Sequence, residues 1–286
     1  MRFRRGAGLD TSQISDRRGM RAGPMVVGGG GLIGLVFLAI QLLTGGEVAI
    51  DPSALDLGGG AAENAEQLSA ACRTGDDANQ REDCRIVGVV NSVQEYWSKT
   101  LDGYRPAKTV FFTGSVSTGC GGATSQVGPF YCPLDSQIYI DLGFYQDLRE
   151  RFGAQGGPFA QAYVIAHEYG HHVENLTGVL GRSRDGESGP QSASVRTELM
   201  ADCLAGMWAK GAVDTGFIEE LTEADIADGL DAAAAIGDDR IQEKVQGRVD
   251  PESWTHGSAD ARQRWFKNGY RSGSLRDCDT FAAERV

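Results

Sequence analysis

The chain has 286 residues, a formal net charge of −12 and 41% hydrophobic residues. This length suits one sizeable domain with attached segments. The acidic balance, with no basic patch in the main body, excludes the kind of surface that binds nucleic acid, so no nucleic-acid partner is expected.

The first 24 residues differ from the rest in charge. They contain six arginines against two aspartates, so this end is basic although the whole chain is acidic. An arginine-rich flank stays in the cytoplasm when a membrane span follows it. We therefore predict that residues 1–24 form a disordered cytoplasmic tail.

Residues 25–43 form a run of nineteen residues without a charge. A run of this length is close to what a helix needs to cross a bilayer. A cleaved signal peptide and a buried core helix are the alternatives, and a run of four glycines weakens the helix propensity. No small-residue cleavage site follows Leu43. We predict an uncleaved signal anchor in the lipid bilayer, which makes this a single-pass cell-membrane protein with its C-terminal domain outside the cytoplasm.

Residues 44–65 are rich in glycine and alanine and are predicted to be a flexible linker. The folded domain is expected to span residues 66–286. Its first helix is indicated by the spacing of Val89, Val93 and Trp97, and strands are predicted at residues 109–114 and 137–141 from their β-branched and aromatic content.

Six cysteines lie in the predicted domain. An even number in an exported domain favours disulfides, although six cysteines allow fifteen pairings. The absence of a C-x-x-C spacing argues against a thiolate zinc site. The most economical pairing joins near neighbours and leaves one long-range pair: Cys72–Cys84, Cys120–Cys132 and Cys203–Cys278.

The segment H-E-Y-G-H at residues 167–171 is the most informative part of the chain. It lies in a predicted helix that begins near Pro158 and ends before Gly178. His167 and His171 are four residues apart, so they share one helix face and can bind one zinc ion. Glu168 is placed to take a proton from a zinc-bound water, which makes it the candidate general base.

A catalytic zinc usually has three protein ligands, so a third must come from another segment. Glu198 is the candidate, because it lies in a predicted helix four residues before Asp202, on the same face. Asp202 would then accept the second N–H of a ligand imidazole and orient its ring. Two acids on a wet helix face are the alternative, but an apolar run makes unpaired charges costly.

His256 precedes a predicted helix at residues 259–268, for which Ser258 is a possible N-cap. A lone histidine here could be a hydrogen-bonded structural residue. It could also be a catalytic residue that donates to the oxyanion as a scissile carbonyl becomes tetrahedral. Nothing in the local sequence decides between these two roles.

Three motifs in this order, H-E-Y-G-H-H, E-L-M-A-D-C-L-A-G and H-G-S-A-D-A-R-Q-R-W-F-K-N-G-Y, resemble the bacterial neutral zinc metallopeptidases of the YpfJ-like family. The resemblance runs from about residue 70 to 280 and implies an α+β, zincin-like domain with a small sheet over the active-site helix. It also implies that an edge strand, residues 137–141 or a neighbour, pairs with extended substrate. One position departs from the family pattern: Ala261 stands where glutamine usually precedes the arginine.

We therefore expect a membrane-anchored metallopeptidase with one catalytic Zn²⁺, held by His167, His171 and Glu198, that hydrolyses peptide or protein substrates by zinc-activated water. A different class remains open: a catalytically silent zincin-fold protein that acts as a binding or scaffold protein of the cell envelope. Zinc hydrolysis of a non-peptide bond is a third possibility.

Overall fold

The computed structural model describes residues 1–20, 33–34, 60–183 and 186–286. Within these ranges, none of the helices has the length and apolar character needed to cross a membrane. Most of the predicted anchor at residues 25–43 and most of the predicted linker lie outside the described residues, so both stay predictions. Of the anchor, Ile33–Gly34 are described, and they form a short strand.

The described residues form an α+β fold, as predicted, in which helices surround a small sheet. The helices are α1 (Gly60–Ala71), α2 (Gly75–Gln80), α3 (Glu82–Thr100), α4 (Phe144–Glu150), α5 (Pro158–Leu176), α6 (Ala193–Gly211), α7 (Glu223–Ala235), α8 (Asp238–Gln246) and α9 (Ala259–Ser272). The strands are β1 (Arg2–Phe3), β2 (Ile14–Asp16), β3 (Ile33–Gly34), β4 (Lys108–Phe112), β5 (Ser115–Thr118), β6 (Gly121–Thr124), β7 (Phe130–Cys132), β8 (Gln137–Asp141) and β9 (Ile218–Glu220).

The largest sheet of the described chain has the strand order β2-β4-β8-β7-β3. β2, β4 and β8 are parallel neighbours, whereas β7 is antiparallel to β8 and β3 is antiparallel to β7. Residues 137–141, the first candidate for a substrate-binding edge, form β8 in the middle of this sheet. That assignment is wrong, because β4 and β7 already occupy both sides of β8; its neighbour β7 lies nearer the edge.

The N-terminal residues are also not a separate tail. β1 pairs with β9 and β2 pairs in parallel with β4, so residues 1–20 belong to the folded domain. Phe3 is only 1% exposed in the main hydrophobic core, which explains the packing. Three of the arginines that suggested a cytoplasmic flank, Arg2, Arg5 and Arg18, instead form ion pairs with acids of the fold, such as Arg2 with Glu219.

The predicted helix at residues 158–177 is confirmed as α5, and it is held at its start and along the side that faces the sheet. At its start, the carboxylate of Asp228 accepts hydrogen bonds from the backbone N–H groups of Gly157, Phe159 and Ala160. These donors have no partner within the helix, and an acid is favoured at this end of the helix dipole. Toward the sheet, the hydroxyl of Tyr169 on α5 lies 3.1 Å from that of Thr109 on β4.

The three predicted disulfides are confirmed: Cys72–Cys84, Cys120–Cys132 and Cys203–Cys278. The first joins α1 to α3, and the second joins the loop after β5 to β7. The third joins α6 to the short helical turn Leu275–Cys278 near the C-terminus, across 75 residues of sequence.

Candidate metal and active site

α5 and α6 cross in very close contact at the candidate site. A Cβ built on Gly170 would lie 2.9 Å from the Cα and carbonyl oxygen of Ala201, so only glycine fits between the two backbones. This approach brings His167 and His171 on α5 opposite Glu198 on α6. One ligand atom from each of these three residues lies within 4.8 Å of the others, and all three residues are buried.

The Nε2 atoms of the two histidines face the two carboxylate oxygens of Glu198. His167 Nε2 lies 3.2 Å from Glu198 Oε2, and His171 Nε2 lies 3.5 Å from Glu198 Oε1. Among the described residues, His171 Nε2 has no hydrogen-bond partner. Two imidazole nitrogens and one carboxylate around a buried point are a typical zinc ligand set, so the residues present fit that ion.

The protonation of the two histidines differs because their surroundings differ. Burial lowers the pKa of His171 to about 3, so this ring is neutral and Nε2 is free to bind a cation. Burial also acts to lower the pKa of His167, but Asp202 and Glu198 outweigh it and raise the pKa to about 9. The carboxylates that favour a proton on His167 also favour a divalent cation, so metal and proton compete for this ring.

Asp202 lies behind His167, as the predicted orienting role requires. Its Oδ1 is 2.8 Å from His167 Nδ1, on the side of the ring away from Glu198. Arg262 on α9 donates to the same carboxylate through Nε at 2.8 Å and through a terminal nitrogen at 3.1 Å, and the hydroxyl of Tyr163 also donates to it. Burial alone would raise the pKa of Asp202, but Arg262 and His167 lower it, so the group stays ionised.

Glu168 is fully buried, and neither of its carboxylate oxygens has a hydrogen-bond partner among the described residues. Burial raises the pKa of this carboxyl group to about 8, although the positive charge of protonated His167 acts to lower it. The backbone N–H of Tyr131 on β7 lies close enough to lower this pKa somewhat, which places β7 beside Glu168. A carboxyl group with a pKa near neutrality can both accept and release a proton.

His256 lies in a buried ion pair, which agrees with the structural role among the two that the sequence left open. It is 6% exposed, and its Nδ1 lies 3.2 Å from Asp238 Oδ1. Burial acts to lower its pKa, but Asp238 outweighs this effect, with help from Glu198, and raises it to about 9. The ring is therefore held structurally by Asp238, and it presents a positive charge near the candidate metal ligands.

Three residues of the site were not recognised from the sequence: Tyr163, Glu174 and Arg262. Arg262 lies 60 positions from Asp202, and no spacing rule relates two helices that far apart in the chain. Glu174 did carry a signal, because it follows His171 by three residues and so shares its helix face. His172, the next residue after His171, is buried, with Nδ1 3.1 Å from the Tyr131 hydroxyl.

Comparison with known proteins shows the family of the chain. The model of the family described as "Putative neutral zinc metallopeptidase" matches residues 1–281. An uncharacterized protein of Mycobacterium tuberculosis is 54% identical over 219 residues, which cover 74% of this chain and 75% of that protein. The uncharacterized protein YpfJ of Escherichia coli is 38% identical over 287 residues, which cover 95% of this chain and 96% of that protein. No solved structure matches the chain. The chain belongs to the family of neutral zinc metallopeptidases.

Proposed function

We propose that this protein is an active zinc-dependent peptidase that hydrolyses peptide bonds, with Glu168 as general base. The observation that carries the proposal is the position of Glu168. It is buried beside the convergent nitrogens and carboxylate of His167, His171 and Glu198, and its own oxygens make no hydrogen bond among the described residues. Burying a carboxyl group without a partner is costly, and sites that do so are commonly functional.

The proposed roles follow from the contacts of each residue. His167, His171 and Glu198 would hold the zinc ion, and Asp202 would orient His167. When bound, zinc polarises a carbonyl and lowers the pKa of water from about 15.7 to about 7. Glu168 then accepts the proton of the attacking water and passes it to the leaving amine. His256, kept protonated by Asp238, donates a hydrogen bond to the oxyanion.

The outer edge of β7 is the proposed binding site for an extended peptide. β7 lies beside Glu168, and Ile33–Gly34 pair with its outer edge in antiparallel orientation. The main-chain N–H and C=O groups along this edge can therefore form hydrogen bonds with an extended peptide. A bound substrate would displace β3 from this edge. Main-chain pairing of this kind tolerates many side chains, so a peptide or protein substrate of varied sequence is expected.

We also propose that the folded domain works outside the cytoplasm, and that residues 25–43 attach it to the membrane in a state in which the pairing of β3 with β7 is released. The three disulfides support this compartment, because they persist mainly in oxidising surroundings. The pairing of β2 with β4 adds a condition, since it requires residues 1–20 and the domain to lie on the same side of the membrane. A single crossing between them, with the N-terminus in the cytoplasm, does not fit this fold.

The test is peptide digestion by the zinc-loaded full chain, with and without a chelator, beside the variant Glu168→Gln. We expect the variant to keep its zinc and to lose turnover by about 10²–10⁴-fold, the usual contribution of a general base. Cleavage by the variant at the wild-type rate would refute the role of Glu168. A wild-type protein that binds zinc but cleaves no peptide would instead favour a scaffold function or a different substrate bond.

A further inference from the structure

Glu174 lies behind His171 in the way that Asp202 lies behind His167. Its Oε2 is 2.8 Å from His171 Nδ1, on the opposite side of the ring from Glu198, and both residues are 0% exposed. Each candidate histidine ligand thus has one carboxyl group against its Nδ1 and shares Glu198 at its Nε2.

The two carboxyl groups differ in what else they contact. Asp202 is also held by Arg262 and by the hydroxyl of Tyr163. Glu174 has no such support: its Oε1 has no hydrogen-bond partner among the described residues, and the ring of His171 is the polar side chain that its Oε2 contacts. Because a half-paired carboxyl group in the interior is costly, stability of the helix does not explain why Glu174 is buried.

A specific consequence follows for the imidazole of His171. A histidine that binds metal through Nε2 must carry its proton on Nδ1, and an acceptor at Nδ1 selects that tautomer and fixes the ring plane. Glu174 Oε2 lies where such an acceptor is needed, and it is supplied by the next turn of the same helix. The partner of His171 Nδ1 is therefore supplied within α5, whereas the partner of His167 Nδ1 is Asp202 on α6.

We infer that Glu174 is the positioning residue for His171, so that the candidate site has two independent carboxyl–histidine pairs. This inference rests on the metal site of the proposed function. It assigns no contact between Glu174 and the metal or the substrate. Glu174 acts only through the tautomer and the ring orientation of His171.

The test measures zinc affinity by chelator competition in the full chain for Glu174→Ala and Glu174→Gln. We expect Glu174→Ala to weaken zinc binding by about 10–100-fold, as loss of such a partner typically does. Glu174→Gln keeps an oxygen that can accept from Nδ1, so it should retain most of the affinity. The ¹⁵N chemical shifts of His171 should show a loss of the Nδ1-protonated tautomer in Glu174→Ala alone.

Asp228→Ala is the matched control, because Asp228 caps the start of the same helix and touches no candidate ligand. It should lower the melting temperature and leave the zinc affinity unchanged. Wild-type affinity in Glu174→Ala, or an equal loss of affinity in Asp228→Ala, would overturn the inference. Failure of the wild-type protein to bind zinc would instead refute the metal site itself.

Discussion

A buried aspartate between a histidine and an arginine decides much of the chemistry at the scale of single residues. Asp202 and Arg262 are both 0% exposed, and two hydrogen bonds join them. A paired guanidinium keeps the carboxylate ionised in the interior, and the planar fork fixes its orientation. Asp202 can therefore serve His167 as a rigid acceptor.

Removing the arginine should leave the carboxylate buried without its counter-charge. We expect Arg262→Met to lose about 3–5 kcal/mol of unfolding free energy, the usual cost of breaking a buried pair on one side. Urea denaturation measures this loss. Adding Asp202→Leu to Arg262→Met should restore stability but not zinc binding, because His167 then has no acceptor. If Arg262→Met alone were as stable as the wild type, Arg262 would not be the counter-charge of Asp202.

The raised pKa of His256 predicts a pH dependence of stability. Its pKa in the folded protein is about 9, above the ordinary value of about 6.5. A group whose pKa rises on folding stabilises the fold fully below the ordinary value, and this stabilisation is lost as pH rises through the folded value. The wild type should therefore lose more stability between about pH 6.5 and 9 than His256→Gln does. Equal losses in denaturation at several pH values would contradict the His256–Asp238 pairing, since the other titrating groups are common to both proteins.

At the scale of elements, α6 carries both Glu198 and Asp202, and its position depends on two kinds of contact. Gly206 and Gly269 allow α6 and α9 to touch: a Cβ on Gly206 would lie 2.1 Å from the carbonyl oxygen of Phe266. The disulfide Cys203–Cys278 then ties α6 to the C-terminal segment. The metal site should therefore respond to changes at this disulfide although no cysteine touches it.

Replacement of Cys203 and Cys278 by alanine should reduce stability by about 4.5 kcal/mol, against about 3 kcal/mol for a pair that closes a short loop. The short-loop control is the Cys120–Cys132 pair, 12 residues apart. Denaturation measures both losses, and chelator competition should show weaker zinc binding only for the first pair. A larger loss for Cys120–Cys132 would show that loop length does not govern the contribution.

At the scale of the whole molecule, short-range patterns predicted more of the structure than long-range ones. The helices predicted from near Pro158 to before Gly178 and at residues 259–268 correspond to α5 and most of α9, because helical periodicity and capping residues are local signals. The partner of a strand or of a buried charge is not local. The central position of β8 and the pairing of Arg262 with Asp202 both depend on contacts between distant segments, which one sequence does not display.

The pairing of β2 with β4 limits where the chain can be cut. A fragment that starts at residue 66, after the predicted linker, would lack β2, the strand that covers the edge of β4. It would also lack Phe3, whose phenyl ring packs against Gly88. An uncovered strand edge next to an apolar cavity is a template for aggregation. We expect such a fragment to form aggregates in size-exclusion chromatography, and a synthetic peptide of residues 1–20, added during refolding, to return it to the monomer position. The first twenty residues therefore supply a strand that the sheet needs, and any recombinant form of the protein should keep them.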